Sequence, residues 1–360
     1  MKCLFYLCKS INHIFTDENL IELVVERFNL AREEKMKQTF RWGIIGAGTI
    51  AHRFATAVKK LNGMELAAIA SREKERSELF GKQYDVPNEK CYGSYQDLVN
   101  DEEIDAVYIA TLHPFHKEQA ILCLEHGKGV LCEKPVTMNK GEIEEIVRVA
   151  RRHKVFFMEA MKSRFLPINI QLQKLISEGI IGEVRHMRAE LGFKAEFDPE
   201  GRLYNKAKGG GALLDIGIYP VSYAAYILGN KPMTVESQLT YGVTGIDESN
   251  AIQLGYENGA RAQLYSTIQV NTTKEASILG TEGRIHIPIF SNAQAATIYL
   301  DSGKEKTIAE PYEINGFEYE IREAVRCMKE GLLESPYMTW SDSIEVMGII
   351  DQIFAASQVK

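Results

Sequence analysis

Two glycines, at positions 46 and 48, have the spacing of a turn that can hold a phosphate. They belong to Gly46-x-Gly48-x-x-Ala51, which follows a short apolar run at 43–45 and precedes a helix-like run at 52–61. Gly46 permits a tight turn, Gly48 lets the backbone approach a pyrophosphate, and Ala51 permits close packing of the helix on the strand. The phosphates would meet N–H groups at the positive end of the helix dipole. The segment predicts a dinucleotide-binding turn, and the alternative is a plain turn between strand and helix.

The end of the second predicted strand indicates which dinucleotide is preferred. Sites for NAD usually carry an acidic residue there, which holds the ribose hydroxyls and repels a 2′-phosphate. This chain has Ser71 and Arg72 at that place, with Arg76 one helical turn later. A hydroxyl and guanidinium groups suit a phosphate, because arginine makes charge-assisted and often bidentate contacts. The sequence therefore favours NADP over NAD, unless Arg72 and Arg76 are solvated charges of a surface helix.

Lys134 follows another predicted strand, in the segment Cys132-Glu133-Lys134-Pro135. Ligands of open parallel sheets bind in the crevice beyond the carboxyl ends of the strands, so this lysine could reach a substrate held against a nicotinamide ring. Hydride transfer to a carbonyl builds negative charge on its oxygen. A cation and an acidic O–H group must therefore both be within reach of that oxygen.

Strands and helices alternate in the first half of the chain. Further strands are predicted at 64–70, 104–110, 129–132 and 155–158, and further helices at 116–126 and 140–153. The strand at 104–110 shows little alternation of apolar and polar residues, as expected of a parallel sheet covered on both faces. This order predicts an α/β fold with a doubly wound parallel Rossmann sheet and right-handed crossovers.

Beyond residue 161 the pattern changes to strands separated by turns. Helices are predicted at 167–178, 216–228, 317–331 and 341–357, and strands at 182–193, 233–242, 249–256, 260–268, 274–279, 284–287 and 296–300, with a hairpin turn at 301–304. This is typical of an α+β domain with a large, mainly antiparallel, open-faced sheet. We therefore expect an extension at 1–38, a dinucleotide-binding domain at 39–160 and a substrate-binding and dimerisation domain at 161–360.

Composition and charge argue against several classes of protein. A chain of 360 residues suits two domains. The formal net charge is −7 and there is no basic block, which argues against a nucleic-acid partner. We find no apolar run of transmembrane length and therefore expect no membrane partner. Six cysteines lack zinc spacing, which fits reduced thiols in the cytoplasm.

Several motifs resemble those of the family of glucose-fructose oxidoreductase and inositol dehydrogenase (GFO/IDH/MocA). In the order typical of the family they are Gly46-Ala47-Gly48, the segment 110–116, Glu133-Lys134-Pro135, Glu159-Ala160-Met161, the segment 209–220 and the segment 280–285. Together they cover the chain from about residue 39 onward and are specific as a set. The branch of dimeric dihydrodiol dehydrogenase is the most similar, because the chain has Asp215-x-x-x-Tyr219 where many inositol dehydrogenase relatives end this motif in histidine.

The resemblance implies catalytic roles for three residues. Lys134 would polarise the reacting oxygen, Tyr219 would donate or accept the proton, and Asp215 would orient the substrate or tune the charges around it. On a helix Asp215 and Tyr219 would share one face. A free tyrosine titrates near ~10, and a neighbouring lysine would make its proton more mobile. The alternatives are a helix N-cap for Asp215 and a core or interface aromatic for Tyr219.

The residues and the resemblance together give two predicted binding sets. The residues expected to bind the dinucleotide are Gly46, Ala47, Gly48, Thr49, Ile50, Ser71, Arg72, Arg76, Thr111, Leu112, His113, His116, Glu133, Lys134 and Arg164. The residues expected to bind the substrate are Lys134, Tyr204, Asp215 and Tyr219. In the loop 193–208, Arg202, Tyr204 and Asn205 would contact substrate hydroxyls or remain solvated. His113 and His116 lack a third ligand nearby, so we expect no metal.

Two functions remain open from the sequence. The leading one is an NADP- or NAD-dependent oxidoreductase acting on a sugar, a polyol, a dihydrodiol or a small dicarbonyl. The alternative is a catalytically idle relative that binds the dinucleotide as a sensor. An idle relative has little reason to keep Lys134, Asp215 and Tyr219, so the enzyme is favoured.

A homodimer, or a dimer of dimers, is expected through the open sheet face. The predicted strands present an apolar face, formed by Ile252, Leu254, Ala262 and Leu264. A lone domain would expose this face unless helices cover it, and large apolar patches are rarely left in water.

The first 35 residues match nothing in the family. The apolar run at 3–8 is too short for a secretory signal, and no small-residue cleavage site follows it. The segment 32–35 can be encoded by a purine-rich string that resembles a bacterial ribosome-binding site. We therefore expect translation to start at Met36, and the alternative is a genuine added helix within 18–34.

Overall fold

Six strands form a parallel sheet in the computed structural model, which describes residues 39–357. They are β1 (Phe40–Ile45), β2 (Met64–Ala70), β3 (Cys91–Tyr92), β4 (Ala106–Ile109), β5 (Gly129–Glu133) and β6 (Phe157–Ala160). The strand order is β3-β2-β1-β4-β5-β6, so the order reverses between β1 and β4 and opens a crevice at the carboxyl ends of those strands. Every residue of β4 and β5 is buried, as expected of strands covered on both faces.

Helices connect these strands and pack against them. They are α1 (Thr49–Lys60), α2 (Lys74–Gln83), α3 (Tyr95–Asn100), α4 (His116–Glu125) and α5 (Lys140–His153). The sequence of α5 shows how such an element is bounded. The Asn139 side chain accepts the N–H group of Glu142 at 3.0 Å, basic residues fill the last turn, and Lys154 ends the helix at φ 55°.

Eight strands form a second, mainly antiparallel sheet. They are β7 (Val184–Gly192), β8 (Thr234–Tyr241), β9 (Asp247–Gly255), β10 (Arg261–Thr267), β11 (Ala276–Gly280), β12 (Gly283–Ile287), β13 (Ala295–Leu300) and β14 (Glu305–Ala309). Their order is β14-β13-β12-β11-β7-β10-β9-β8, and β7 pairs with β10 in parallel. The remaining helical segments are α6 (Pro167–Ser177), a π-helical turn (Leu213–Gly217), α7 (Ile218–Leu228), α8 (Glu318–Lys329) and α9 (Trp340–Ser357). The predicted fold, a doubly wound parallel sheet followed by an α+β part, is confirmed.

Most predicted elements agree with the structure to within a few residues. The hairpin turn at 301–304 is present between β13 and β14, with the Leu300 N–H group donating to the Lys304 carbonyl at 2.8 Å. Among the described strands and α-helices, α3, β3 and β14 were not predicted, because they are too short or too polar to show a clear period. The helix considered within 18–34 and the expected start at Met36 lie outside the described residues.

One face of the second sheet is covered by helices of the same chain. Four apolar side chains on this face are at most 2% exposed, those of Ile252, Leu254, Ala262 and Leu264. Helix α7 packs against β7 and β10, and α9 packs against β8. Helices of the same chain therefore cover these four side chains, which was the alternative left open from the sequence, and the side chains give no support to a dimer. The opposite face presents exposed polar side chains such as Gln253 and Gln263.

Among the described residues, one helical stretch, Lys206–Leu228, is long and apolar enough to cross a membrane, although no run of that length was expected from the sequence. In its most apolar window, 78% of the residues are buried inside the protein. This stretch contains α7, which packs against the second sheet. Length and composition alone are weak support for a membrane span, because a buried core helix has the same properties.

Candidate active site

The turn between β1 and α1 has the geometry that the glycine spacing predicts. Gly46 has φ +101°, and a Cβ atom there would lie 2.9 Å from the carbonyl oxygen of Ala110, so only glycine fits. Helix α1 begins after Gly48, and no side chain caps its first N–H groups. Such a helix start suits the phosphates of a dinucleotide. The predicted residues at this turn lie together: Gly46, Ala47, Gly48, Thr49 and Ile50.

The residues predicted to bind the 2′-phosphate of NADP lie at the end of β2 and in the first turn of α2. The Ser71 hydroxyl is buried, donates to the Glu73 carbonyl and accepts from the Ser77 hydroxyl at 3.0 Å. It therefore shapes the turn itself. Arg72 and Arg76 are exposed, so their guanidinium groups face the solvent at the carboxyl end of β2.

His113 and His116 contact main-chain carbonyl groups. Nδ1 of His113 lies 3.3 Å from the Gly209 carbonyl oxygen, and the His116 ring lies between the carbonyl oxygens of Pro135 (3.0 Å) and Thr111 (3.2 Å). Burial lowers the pKa of His113 to about 3 and that of His116 to about 4, so both rings are neutral at neutral pH. Within residues 39–357 no group of three or more His, Cys, Asp or Glu side chains is arranged to hold a metal.

Lys134 meets Asp215 and Tyr219 directly beyond the carboxyl end of β5. Nζ of Lys134 donates to the main-chain carbonyl of Asp215 at 2.7 Å and lies 3.6 Å from Asp215 Oδ1. It also lies 4.9 Å from the centroid of the Tyr219 ring. The side chains of Lys134 and Asp215 are only 13% and 8% exposed, so solvent screens their charges weakly. The structure thus places Asp215 and Tyr219 both beside Lys134.

The neighbouring charges set the protonation of this cluster. Burial alone would lower the pKa of Lys134, but Tyr219 and Asp215 outweigh it and raise that pKa. Burial alone would raise the pKa of Asp215, but Lys134 and Arg202 outweigh it and lower that pKa. Burial raises the pKa of Tyr219 against the opposing effect of Lys134. At neutral pH the cluster therefore holds an ammonium, a carboxylate and a neutral phenol.

Asp215 lies within the π-helical turn, and Tyr219 lies in the first turn of α7. Asp215 does not cap this helix, so the N-cap alternative is wrong. The N–H group of Leu213 donates instead to Oδ2 of Asp247, the first residue of β9, at 2.7 Å. The Asp215 carboxylate is left to interact with the cations of the site.

A chain of buried hydrogen bonds anchors the π-helical turn to the second sheet. Asp247 Oδ2 also accepts the side-chain amide of Asn250 at 3.3 Å, and Asn250 Oδ1 accepts the Ser266 hydroxyl at 2.7 Å. All three side chains are buried, and burial raises the pKa of Asp247 to about 7. The turn that carries Asp215 is therefore held by β9 and β10.

Two residues predicted to bind the dinucleotide contact other side chains of the same chain. The carboxyl group of Glu133 is buried and accepts the O–H group of Tyr108. Arg164 is buried in the turn after β6, with its guanidinium 3.8 Å from the Asp342 carboxylate and 4.8 Å from the centroid of the Tyr226 ring. Nε and Nη2 of Arg164 are buried without a hydrogen-bond partner among the described residues, and the dinucleotide contacts predicted for Glu133 and Arg164 stay predictions.

The other predicted binding residues lie at the end of β4 and in the loop 193–208. Leu112 precedes the short helical turn His113–Phe115, and Thr111 donates from its hydroxyl to Gln119 Oε1 at 2.6 Å. Tyr204 is buried, with its ring edge against Phe197 at 5.0 Å. Across residues 39–357 no hydrogen bond joins Tyr204 to Lys134, Asp215 or Tyr219. Tyr204 packs within the loop, and its predicted contact with the substrate stays a prediction.

Two residues of the site have contacts that the sequence did not indicate. Arg202, which was considered as a contact to substrate hydroxyls or a solvated loop residue, donates to both carboxylate oxygens of Asp215, at 2.8 and 3.3 Å. Asp247 gave no local signal, because it lies 34 positions from the N–H group that it accepts.

Both halves of the described chain match known families. Residues 40–161 match the oxidoreductase family with an NAD-binding Rossmann fold, and residues 170–286 match the GFO/IDH/MocA C-terminal domain. Trans-1,2-dihydrobenzene-1,2-diol dehydrogenase of Xenopus tropicalis is 37% identical over 323 residues, which cover 87% of this chain and 96% of the relative. The human protein of that name is 33% identical over 324 residues, covering 87% of this chain and 95% of the relative.

Solved structures share this architecture. Aldose–aldose oxidoreductase from Caulobacter crescentus has a TM-score of 0.82 at 26% identity, covering 89% of this chain and 98% of that one. A 3-ketoreductase from Actinomadura kijaniata, crystallised with NADP and TDP-benzene, has a TM-score of 0.80 at 26% identity and the same coverage. With both of its sheets matched in sequence and structure, this chain belongs to the GFO/IDH/MocA family and is an NAD(P)-dependent oxidoreductase.

Proposed function

We propose that this chain transfers a hydride between NADP and a carbonyl or hydroxyl carbon of a sugar, a polyol, a dihydrodiol or a small dicarbonyl. The observation that carries the proposal is the contact of Lys134 with Asp215 and Tyr219 beyond the end of β5, two strands from the glycine turn that follows β1. The names of the relatives specify a dihydrodiol, a 3-keto group and an aldose. All are substrates whose reacting carbon bears oxygen, which supports the substrate class.

Each residue of the site has a separate role in the proposed reaction. The nicotinamide, when bound, supplies or accepts the hydride. Lys134 donates from its ammonium to the reacting oxygen and stabilises the negative charge that develops there. Tyr219 gives its phenolic proton to that oxygen in reduction and takes it back in oxidation. The uncapped start of α1 and the exposed Arg72 and Arg76 hold phosphate groups of the dinucleotide.

The proposal is tested by following reduced nicotinamide by absorbance while sugars, vicinal diols and dicarbonyls are offered with each dinucleotide. Turnover of at least one compound with NADP is expected. Tight dinucleotide binding without turnover of any compound would favour the alternative function, a sensor that has kept the fold. The intact set of Lys134, Asp215 and Tyr219 supports the enzyme over the sensor.

Arg72→Ala is expected to weaken NADPH binding by ~1.5–3 kcal/mol, the scale of a hydrogen bond to a charged group. NADH binding should stay nearly unchanged, because NADH lacks the 2′-phosphate. Both affinities are measured by fluorescence titration, with the exposed Arg148→Ala as a matched control on α5. Equal losses for the two dinucleotides would show that Arg72 does not recognise the phosphate.

A homodimer, or a dimer of dimers, is expected through the uncovered face of the second sheet. That face holds a groove of about 710 Å³ whose lining includes Gln253, Gln263 and Tyr265. In a two-fold dimer the same surface patch of each subunit contacts its copy on the other subunit. Gln253→Glu combined with Gln263→Glu would therefore bring carboxylates of the two subunits together, and their repulsion should dissociate the dimer. Light scattering at micromolar concentration measures this, with Gln83→Glu on α2 as the control. A monomeric unmodified protein would contradict the expectation.

A further inference from the structure

We propose that Arg202 is a positioning residue of the catalytic cluster. It holds the Asp215 carboxylate and thereby leaves the Lys134 ammonium available to the substrate oxygen. This inference rests on the proposed function, because it assigns Arg202 a role through Lys134.

The geometry of three charged groups carries the inference. Arg202 donates hydrogen bonds to the Asp215 carboxylate from both terminal nitrogens, from Nη1 to Oδ1 at 2.8 Å and from Nη2 to Oδ2 at 3.3 Å. Such a bidentate pair fixes the orientation of the carboxylate as well as its distance from the guanidinium. Lys134 stands farther from the same carboxylate, at 3.6 Å, and its short hydrogen bond of 2.7 Å goes to the Asp215 main-chain carbonyl. The carboxylate is thus turned toward Arg202.

Without Arg202 the same groups would pair differently. Among the described residues, Lys134 and Arg202 are the cations within 4.0 Å of the Asp215 carboxylate. That carboxylate side chain is 8% exposed, and an uncompensated buried charge is costly. Loss of Arg202 would therefore draw the carboxylate onto Lys134. An ammonium held in a short ion pair has fewer protons directed at a substrate.

The loop that carries Arg202 is built to keep this contact. The N–H groups of Gly210 and Gly211 donate to the carbonyls of Asn205 and Leu203, both at 3.0 Å, which folds the loop back onto the segment leading to Asp215. A Cβ atom on Gly210 would lie 2.5 Å from the Leu203 carbonyl oxygen, so the close approach requires glycine. Arg202 is thereby set at a fixed place relative to Asp215.

Two acidic residues near Arg202 in the loop, Asp198 and Glu200, hydrogen-bond to other groups. Oδ1 of Asp198 accepts the N–H group of Glu200 at 3.0 Å. The Glu200 carboxylate accepts the side-chain amide of Asn205 at 3.4 Å, and its main-chain carbonyl accepts Lys208 Nζ. Arg202 is itself 52% exposed, so its position depends on the bond to Asp215.

A double-mutant cycle tests the inference on whichever substrate the screen identifies. Arg202→Met should lower kcat about 10-fold, while KM changes by less than about threefold, since Arg202 acts on the oxyanion donor rather than on substrate binding. Arg202→Lys should recover part of the lost kcat. In the Asp215→Asn background the same Arg202→Met change should alter kcat by less than about twofold, because no carboxylate remains to be held.

Three results would overturn the inference. The first is an unchanged kcat in Arg202→Met, and the second is an equal loss of kcat with and without the Asp215 carboxylate. The third is a raised KM that persists in the Asp215→Asn background, which would make Arg202 a direct substrate contact. Lys206→Met, which removes an exposed charge from the same loop, controls for net charge, and thermal unfolding with dinucleotide titration confirms that each variant is folded.

The failure of this inference differs from failure of the proposed function. If the unmodified protein turns over no compound of the screen with either dinucleotide, the proposed function itself is wrong. If Lys134→Met keeps full turnover, the role of Lys134 is wrong, and the role of Arg202 falls with it. If Lys134→Met loses turnover while Arg202→Met does not, only the role of Arg202 is rejected.

Discussion

Lys134→Met is expected to lower kcat by ~10²–10³-fold or more, the scale seen when an oxyanion donor is removed. The reason is that Lys134 is the buried cation at the end of β5, and the cluster keeps it charged by raising its pKa. Methionine has a similar length and no charge, so it removes the donor while filling the space. Dinucleotide affinity should survive apart from the contacts that Lys134 makes to the nicotinamide ribose, because the phosphate-binding turn lies two strands away.

Steady-state kinetics and a separate dinucleotide titration measure the two parts of this expectation. Lys231→Met removes an exposed lysine that precedes β8 and should leave both quantities unchanged. Retention of full turnover in Lys134→Met would show that another group stabilises the reacting oxygen.

Tyr219→Phe is expected to lower kcat by ~10²–10⁴-fold, the range for general acid–base catalysis. Burial raises the pKa of Tyr219 above its ordinary value, so the phenol is protonated at neutral pH and ready to donate in reduction. In the oxidation direction the phenol must first lose its proton. The oxidation rate should therefore rise with pH on the alkaline side, and this rise should be absent in Tyr219→Phe.

The control is Tyr337→Phe, which removes the hydroxyl of an exposed tyrosine. Dinucleotide affinity should be the same in both variants and in the unmodified protein. Near-full turnover of Tyr219→Phe with an unaltered pH profile would place the proton elsewhere, on Lys134 or on a bound water. Asp215→Asn should be milder than either change if Asp215 only orients the substrate.

Much of the fold followed from local patterns. The glycine turn, the buried strands and the order of strands and helices are all set by residues close together in the chain, so periodicity and turn residues were sufficient to predict them. Lys134 was identified in the same way, because its place after a buried strand puts it at the crevice of a parallel sheet.

Features set by distant residues were not predicted. The π-helical turn depends on Asp247, which meets Leu213 only after the second sheet has formed. The burial of Ile252 and Leu264 depends on helices that come from other parts of the chain, so strand alternation alone gave no indication of what covers them. The pairing of Arg202 with Asp215 likewise requires the loop to fold back.

The π-helical turn also constrains the length of the chain near the site. Its wider turn is equivalent to one residue inserted into an α-helix, and each α-helical residue advances about 100° around the axis. Deleting Ile216 or Gly217 would allow a regular α-helix but would shorten the spacing of Asp215 and Tyr219 from four residues to three, which changes their positions relative to Lys134. This segment should therefore tolerate exchanges among its apolar side chains far better than any change in its number of residues.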